Sequence, residues 1–117
     1  MATIIELAEA FSRHRFEETA PHMLDDLVWT LVGERTIVGR VDVVAACEES
    51  AGYLADVRTT FTAFKVVANQ NTVVIDSRAE YVDLEGEASH VASCDLYDFV
   101  DGRLAAITSY TVELSSD

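Results

Sequence analysis

The sequence predicts an α+β domain in which helices from the N-terminal half wrap a cone-shaped, curved antiparallel sheet supplied mainly by the second half. Three observations predict this. Apolar residues near the N-terminus recur at helical spacing, whereas from Arg58 onward the chain consists of long segments rich in Val, Thr, Tyr and Phe. The links between those segments are NQN, EGE and DG, short polar or glycine-bearing connections that join antiparallel neighbours. With 117 residues, half of them apolar, the chain is the right size for one domain over 1–117 with a core that needs no disulfide or structural metal.

Between Thr3 and Arg13, Ile4, Leu7, Ala8 and Phe11 share one face of a helix while Glu6, Glu9, Ser12 and Arg13 take the other, and Thr3 supplies the N-cap. A second helical segment, Phe16 to Leu24, contains Pro21, so it must be short or start late. After Asp25 and Asp26 the run LVWTLVG is too short for a helix and reads as a strand closed by Gly33. Gly39 precedes a helix from about Val41 to Leu54, with Val44, Cys47, Ala51 and Leu54 as its stripe and Asp42 in its first turn. Four strands follow: Arg58–Ala68, Thr72–Leu84, Ala88–Val100 and Arg103–Leu114, the last two joined at Asp101-Gly102. Antiparallel strands of this length twist and bend, and a bent sheet closed by helices has an inside.

Eight basic against 21 acidic side chains give a formal charge of −13, which argues against nucleic acid and anionic membrane surfaces as partners. No apolar run approaches the roughly 18 residues of a membrane span, and MATIIELAEAF carries acidic residues where a signal peptide is basic, so a cytoplasmic protein is expected. Cys47 and Cys94 form no CxxC pair and both read as small buried apolar residues. The histidines lack ligand spacing, so neither a metal nor a cofactor is expected.

Asp95 is the polar residue that stands out. In SHVASCDLYDFV, alternation puts Val91, Ser93, Asp95, Tyr97 and Phe99 on one face, apolar enough to be the concave side. A carboxyl facing a dry pocket is harder to ionise and can serve as hydrogen-bond donor or general acid. The competing reading is a cross-strand pair or a solvated carboxylate. Tyr97 shares the face and Trp29 and Phe11 add aromatic wall, a lining suited to a small hydrophobic molecule. His14, between Arg13 and Arg15, reads as surface; His22 could reach the mouth of the cone; His90 points away from Asp95. Cys94, Leu96, Ala106 and Tyr110 leave the opposite face apolar as well, which predicts a homodimer through the sheet.

The stretch FEETAPHMLDDLVWTLVG followed by VGRVDVVAACEES, and the closing CDLYDFVDGRLAAITSYTV, resemble the SnoaL-like and ketosteroid-isomerase-like branch of the nuclear transport factor 2-like superfamily. The resemblance rests on Asp25, Asp26, Val28, Trp29, Gly39 and Arg40 early in the chain, and on the aromatic strand and Asp-Gly turn near its end. It implies a cystatin-like α+β roll, frequently dimeric, and it implies for Asp95 the role of the acid that steadies a developing oxyanion. Two other parts of the isomerase pattern are missing. Trp29, Thr30 and Leu31 stand where its base would be, and Leu7 and Phe11 where its helix tyrosine would be. The resemblance also extends to limonene-epoxide-hydrolase-like members, whose Asp, Arg, Asp grouping Asp76, Arg78 and Glu80 with Asp95 would approximate; alternating charges are equally the mark of a solvated outer face. The expected function is binding of a small hydrophobic molecule, with cofactor-free isomerase, cyclase or dehydratase chemistry on a carbonyl compound. The alternatives are a non-catalytic binding or dimerisation module and an epoxide hydrolase.

Overall fold

The computed structural model describes residues 2–114. Helix α1 (Ile4–Ser12) opens with a capping box, Glu6 N–H donating to Thr3 Oγ1 at 3.1 Å and Thr3 N–H to Glu6 Oε1 at 2.9 Å. Helix α2 (Phe16–Thr19) passes into a 3₁₀ turn at Ala20–His22, with Pro21 inside it. The expected helix to Leu24 therefore stops early, because a 3₁₀ turn accommodates the proline and the chain is already extended at Met23. Strand β1 runs Met23–Leu31 and β2 Arg35–Val38, the latter a short edge strand that the sequence reading passes over between Gly33 and Gly39. Helix α3 spans Arg40–Leu54, and Val43 and Cys47 are its buried residues; Ala51 is exposed, so the inner face is turned slightly from the expected stripe.

Strands β3 (Arg58–Ala68), β4 (Thr72–Val82), β5 (Ala88–Val100) and β6 (Arg103–Leu114) match the expected segments, except that β4 ends two residues before Leu84. The sheet order is β2-β1-β6-β5-β4-β3, a curved, unclosed six-stranded sheet. Its pairings are antiparallel save β1 with β6, where the chain's first and last strands lie parallel. The β5–β6 turn has positive φ at Asp101 (51°) and Gly102 (78°), the primed geometry whose twist suits a hairpin.

Size along the inner face shapes the interior. At one end of β4, β5 and β6 the inward residues are Val73, Ile75, Tyr97, Phe99, Leu104 and Ile107, all buried and packed with Met23, Leu27 and α1. Toward the other end Ser77, Ala79, Ser93, Ser109 and Thr111 take the same alternating positions, and small side chains there leave space. The cone is thus packed at its apex and hollow at its mouth. Asp95 stands at the boundary, paired in register with Ile75 and Ser109.

Helix α3 enters through Gly39, whose φ of 95° suits glycine and whose N–H donates to Leu27 O at 2.7 Å. An added methyl would meet only Asp25 O at 3.9 Å, so the penalty there is conformational. Gly39→Ala is expected to destabilise by about 1–2 kcal/mol, measured by urea unfolding.

Candidate functional site

The cavity of about 600 Å³ lies between the sheet and the helices. Phe11, Ser12 and His14 reach it from α1 and the residues after it, Trp29 and Leu31 from β1, Phe61 from β3, Ser77 and Tyr81 from β4, Val91, Ser93 and Asp95 from β5, and Ser109 and Thr111 from β6. Glu49 and Tyr53 of α3 and Ser89 of β5 are exposed lining residues and mark its opening.

Asp95 sits at the floor of this space. Ser12 Oγ donates to its Oδ2 at 2.9 Å and lies 2.6 Å from the Tyr97 hydroxyl, so the serine joins the two. Ser109, on the next strand, stands opposite Asp95 in register and accepts from Trp29 Nε1 at 2.9 Å. Burial raises the Asp95 pKa; the neighbouring hydroxyls of Ser109, Ser12 and Tyr97 pull the other way without cancelling that cost. Burial also drives the Tyr97 hydroxyl well above its ordinary range, with the neighbouring Asp95 charge adding to the effect. The arrangement is a carboxyl that resists ionisation, held in place by hydroxyls and facing an aromatic chamber. It can donate a proton or a strong hydrogen bond to a ligand oxygen.

Of the residues the sequence singles out, Phe11, Trp29, Val91, Ser93 and Asp95 meet at the cavity. Tyr97 is fully buried behind them, its ring edge-on to Phe11 at 5.8 Å and only its hydroxyl directed to the Ser12–Asp95 pair. Phe99 lies deeper, 4% exposed in the apex core beside Leu104, two strand positions past the hollow part of the cone. His22 ends the 3₁₀ turn and is not among the lining residues.

Four expectations need correction. Helical periodicity puts Ser12 on the solvent face of α1, yet it is 6% exposed and touches both polar residues of the floor; it follows Ala8 by four positions, at the edge of a buried arc wider than the apolar stripe. His14 is not a surface residue: its ring lines the cavity, and Nε2 lies 3.1 Å from Tyr81 Oη. The grouping of Asp76, Arg78 and Glu80 with Asp95 does not form. Register pairs Ile75, not Asp76, with Asp95, so the three charges lie on the outer face, where Glu80 meets His90 at 3.7 Å. Both cysteines are free thiols, but only Cys47 is fully buried, its thiol pushed up to about 12 by burial; Cys94 is half-buried on the outer face. Among the described residues no group of three His, Cys, Asp or Glu side chains could hold a metal, and no helix is long and apolar enough to cross a membrane.

A helix-wrapped curved sheet with a hollow mouth and a carboxyl on its floor defines an α+β roll with an internal cavity. The SnoaL-like domain family matches residues 4–107, and the chain belongs to that family. Similar solved structures include a nuclear transport factor 2-like protein of unknown function from Cytophaga hutchinsonii, at 28% identity and TM-score 0.80, covering 91% of this chain and 93% of that one. A candidate polyketide cyclase from Xanthomonas campestris pv. campestris aligns at 18% identity and TM-score 0.70, with coverage of 89% and 83%. An epoxide hydrolase of the limonene-epoxide-hydrolase-like kind from M. tuberculosis aligns at 19% identity and TM-score 0.72, with coverage of 93% and 82%. The last two share the fold. Among curated proteins no significant match is found.

A group whose folded pKa is raised contributes stability that is fully present below the unfolded pKa and is lost as pH rises through the folded value. Asp95 is such a group, so Asp95→Asn, which keeps the shape of the protonated form, is expected to unfold at higher urea than the parent at pH 7. That gap should close below about pH 4, where the parent's carboxyl is protonated in both states. Ser12→Ala leaves the Tyr97 hydroxyl and the Asp95 carboxyl each short of a partner, and should cost about 1–3 kcal/mol at pH 7 in the same assay.

Proposed function

We propose that the cavity binds a small hydrophobic carbonyl compound and that Asp95 acts on it as general acid or oxyanion donor, in cofactor-free isomerase, cyclase or dehydratase chemistry. The observation that carries this reading is the half-buried Asp95 carboxyl on the floor of an otherwise aromatic and hydroxyl-lined space, made harder to ionise by its partial removal from water. The ligand's carbonyl oxygen approaches Asp95, whose proton offsets negative charge as the adjacent carbon loses a hydrogen. Ser12, itself held by the Tyr97 hydroxyl, fixes the carboxyl, so little reorganisation is needed when that charge develops. Phe11, Trp29 and Phe61 offer flat surface for the remainder of the molecule.

Trp29 is the only tryptophan and lines the cavity, so its fluorescence reports occupancy. 1-Tetralone, a flat neutral ketone, is expected to quench it saturably, and the protein is expected to speed exchange of the ketone's α-hydrogens in D₂O. Asp95→Asn should lower that exchange about 100-fold while the quenching persists, in line with the usual worth of a general acid. Unchanged exchange in the variant would remove Asp95 from the chemistry; quenching without exchange in the parent would point instead to a binding module.

We also propose that the protein is a homodimer through the outer face of the sheet, where Tyr110 is 47% and Val112 59% exposed beside half-buried Cys94 and Leu96. Light scattering should give twice 12.8 kDa, and Val112→Glu should give the monomer.

A further inference from the structure

The mouth of the cavity holds a second polar pair that the Asp95 reading does not use. Helix α1 ends in a Schellman turn: Arg15 N–H donates to Ala10 O at 2.8 Å and His14 N–H to Phe11 O at 3.0 Å. The residue following the cap in such a turn adopts left-handed backbone, and glycine takes that place at the lowest cost. Here it is His14, with φ of 67°. The turn fixes the direction in which the imidazole leaves the backbone. It points inward: its ring lies 5.7 Å from Phe16, 5.8 Å from Phe61 and 6.0 Å from Tyr81, and its Nε2 meets the Tyr81 hydroxyl. Burial lowers the His14 pKa, keeping the ring neutral and able to accept a proton. The ionisable groups that share the lining with it are Tyr81 from β4, Asp95 from β5, and Glu49 and Tyr53 from α3. Arg13, its neighbour in sequence, is turned onto Phe64 at 3.9 Å, which commits that cation to an aromatic face.

We infer that His14, acting with the Tyr81 hydroxyl, is the proton acceptor of the cavity, the counterpart of Asp95 as proton donor. The inference rests on the proposed carbonyl chemistry and supplies the base that β1 lacks, since Leu31 lines the wall there. In the step proposed, the ligand's C–H bond beside the carbonyl breaks as the Tyr81 oxygen takes that proton. The phenol's own proton passes to His14 Nε2. The electron pair of the broken C–H bond forms the new C=C bond, the carbonyl π pair moves onto oxygen, and that oxygen takes the Asp95 proton. An enol, an imidazolium and a carboxylate result, with no change of oxidation state. Returning a proton from His14 through Tyr81 to carbon, and one from the enol to Asp95, restores the site.

The test uses three variants and one spectrum on the full chain. His14→Gly suits the left-handed position and should keep the fold; Tyr81→Phe removes only the hydroxyl. With 1-tetralone in D₂O, each is expected to slow α-hydrogen exchange at least tenfold while Trp29 quenching changes less than threefold. Added imidazole is expected to restore exchange in His14→Gly and not in Tyr81→Phe. The pH profile of the parent should lose rate toward acid as His14 protonates, and His14→Gly should lack that limb. In ¹⁵N spectra at pH 7, Nε2 of His14 should be the unprotonated nitrogen. Exchange within twofold of the parent in His14→Gly, with Asp95→Asn impaired, overturns the inference and spares the Asp95 reading. Loss in His14→Gly with Asp95→Asn unaffected does the reverse. A protonated Nε2 at pH 7 overturns the inference whatever the rates.

Discussion

The bond from Ser12 to Asp95 is the constraint on which the rest of the site depends. It crosses from the last residue of α1 to the middle of β5 and draws in the Tyr97 hydroxyl, so one serine fixes the helix, the strand and the floor of the cavity together. A carboxyl taken from water and left without partners would not persist in a folded chain. Held by Ser12 beside the hydroxyls of Ser109 and Tyr97, Asp95 stays where burial alone would expel it, yet its pKa is not brought back to the ordinary value. A group poised in this way is costly to stability and useful to chemistry.

The cavity exists because the inner face changes size along its length. On β5 the inward residues run Phe99, Tyr97, Asp95, Ser93, Val91, and on β6 Leu104, Ile107, Ser109, Thr111. Each strand therefore begins the cone with large apolar side chains and carries smaller or polar ones toward the mouth. The apex packs around Met23, Leu27 and Leu104, all fully buried, and holds the sheet's curvature while the mouth stays open. Trp29 links the two zones, its ring edge-on to Phe11 at 5.2 Å and its N–H on Ser109.

Much of this is legible in the sequence. Period-two alternation placed Val91, Ser93, Asp95 and Tyr97 on one face, and the polar links fixed the hairpins of β3 to β6. What alternation lacks is register between strands, and so it could not tell whether Asp76, Arg78 and Glu80 share the face of Asp95 or oppose it. Depth along a strand is equally invisible: Phe99 has the same parity as Asp95 but lies in the apex core. Ser12 and His14 were misread for a different reason. Helical periodicity weighs hydrophobicity, so a serine at the edge of a buried arc and a histidine just past a helix end both look solvated. The turn that carries His14 inward is a backbone property set by the end of α1, and its usual signal, a glycine, is absent.

Charge ties these observations together. The chain carries −13, yet the cavity disfavours charge of either sign on its walls: burial opposes the carboxylate at Asp95 on the floor and the imidazolium at His14 near the mouth. Acidic side chains such as Asp76 and Glu48 sit outside, where water screens them. An interior that resists ionisation in its own residues imposes the same desolvation cost on a guest, so the ligand it admits most readily is neutral. Neutral reactants whose transition states gather charge gain most from such a setting. On the proposed reading, Asp95 would give one proton and His14 would take another as that charge develops, both from fixed positions in a space that excludes most water.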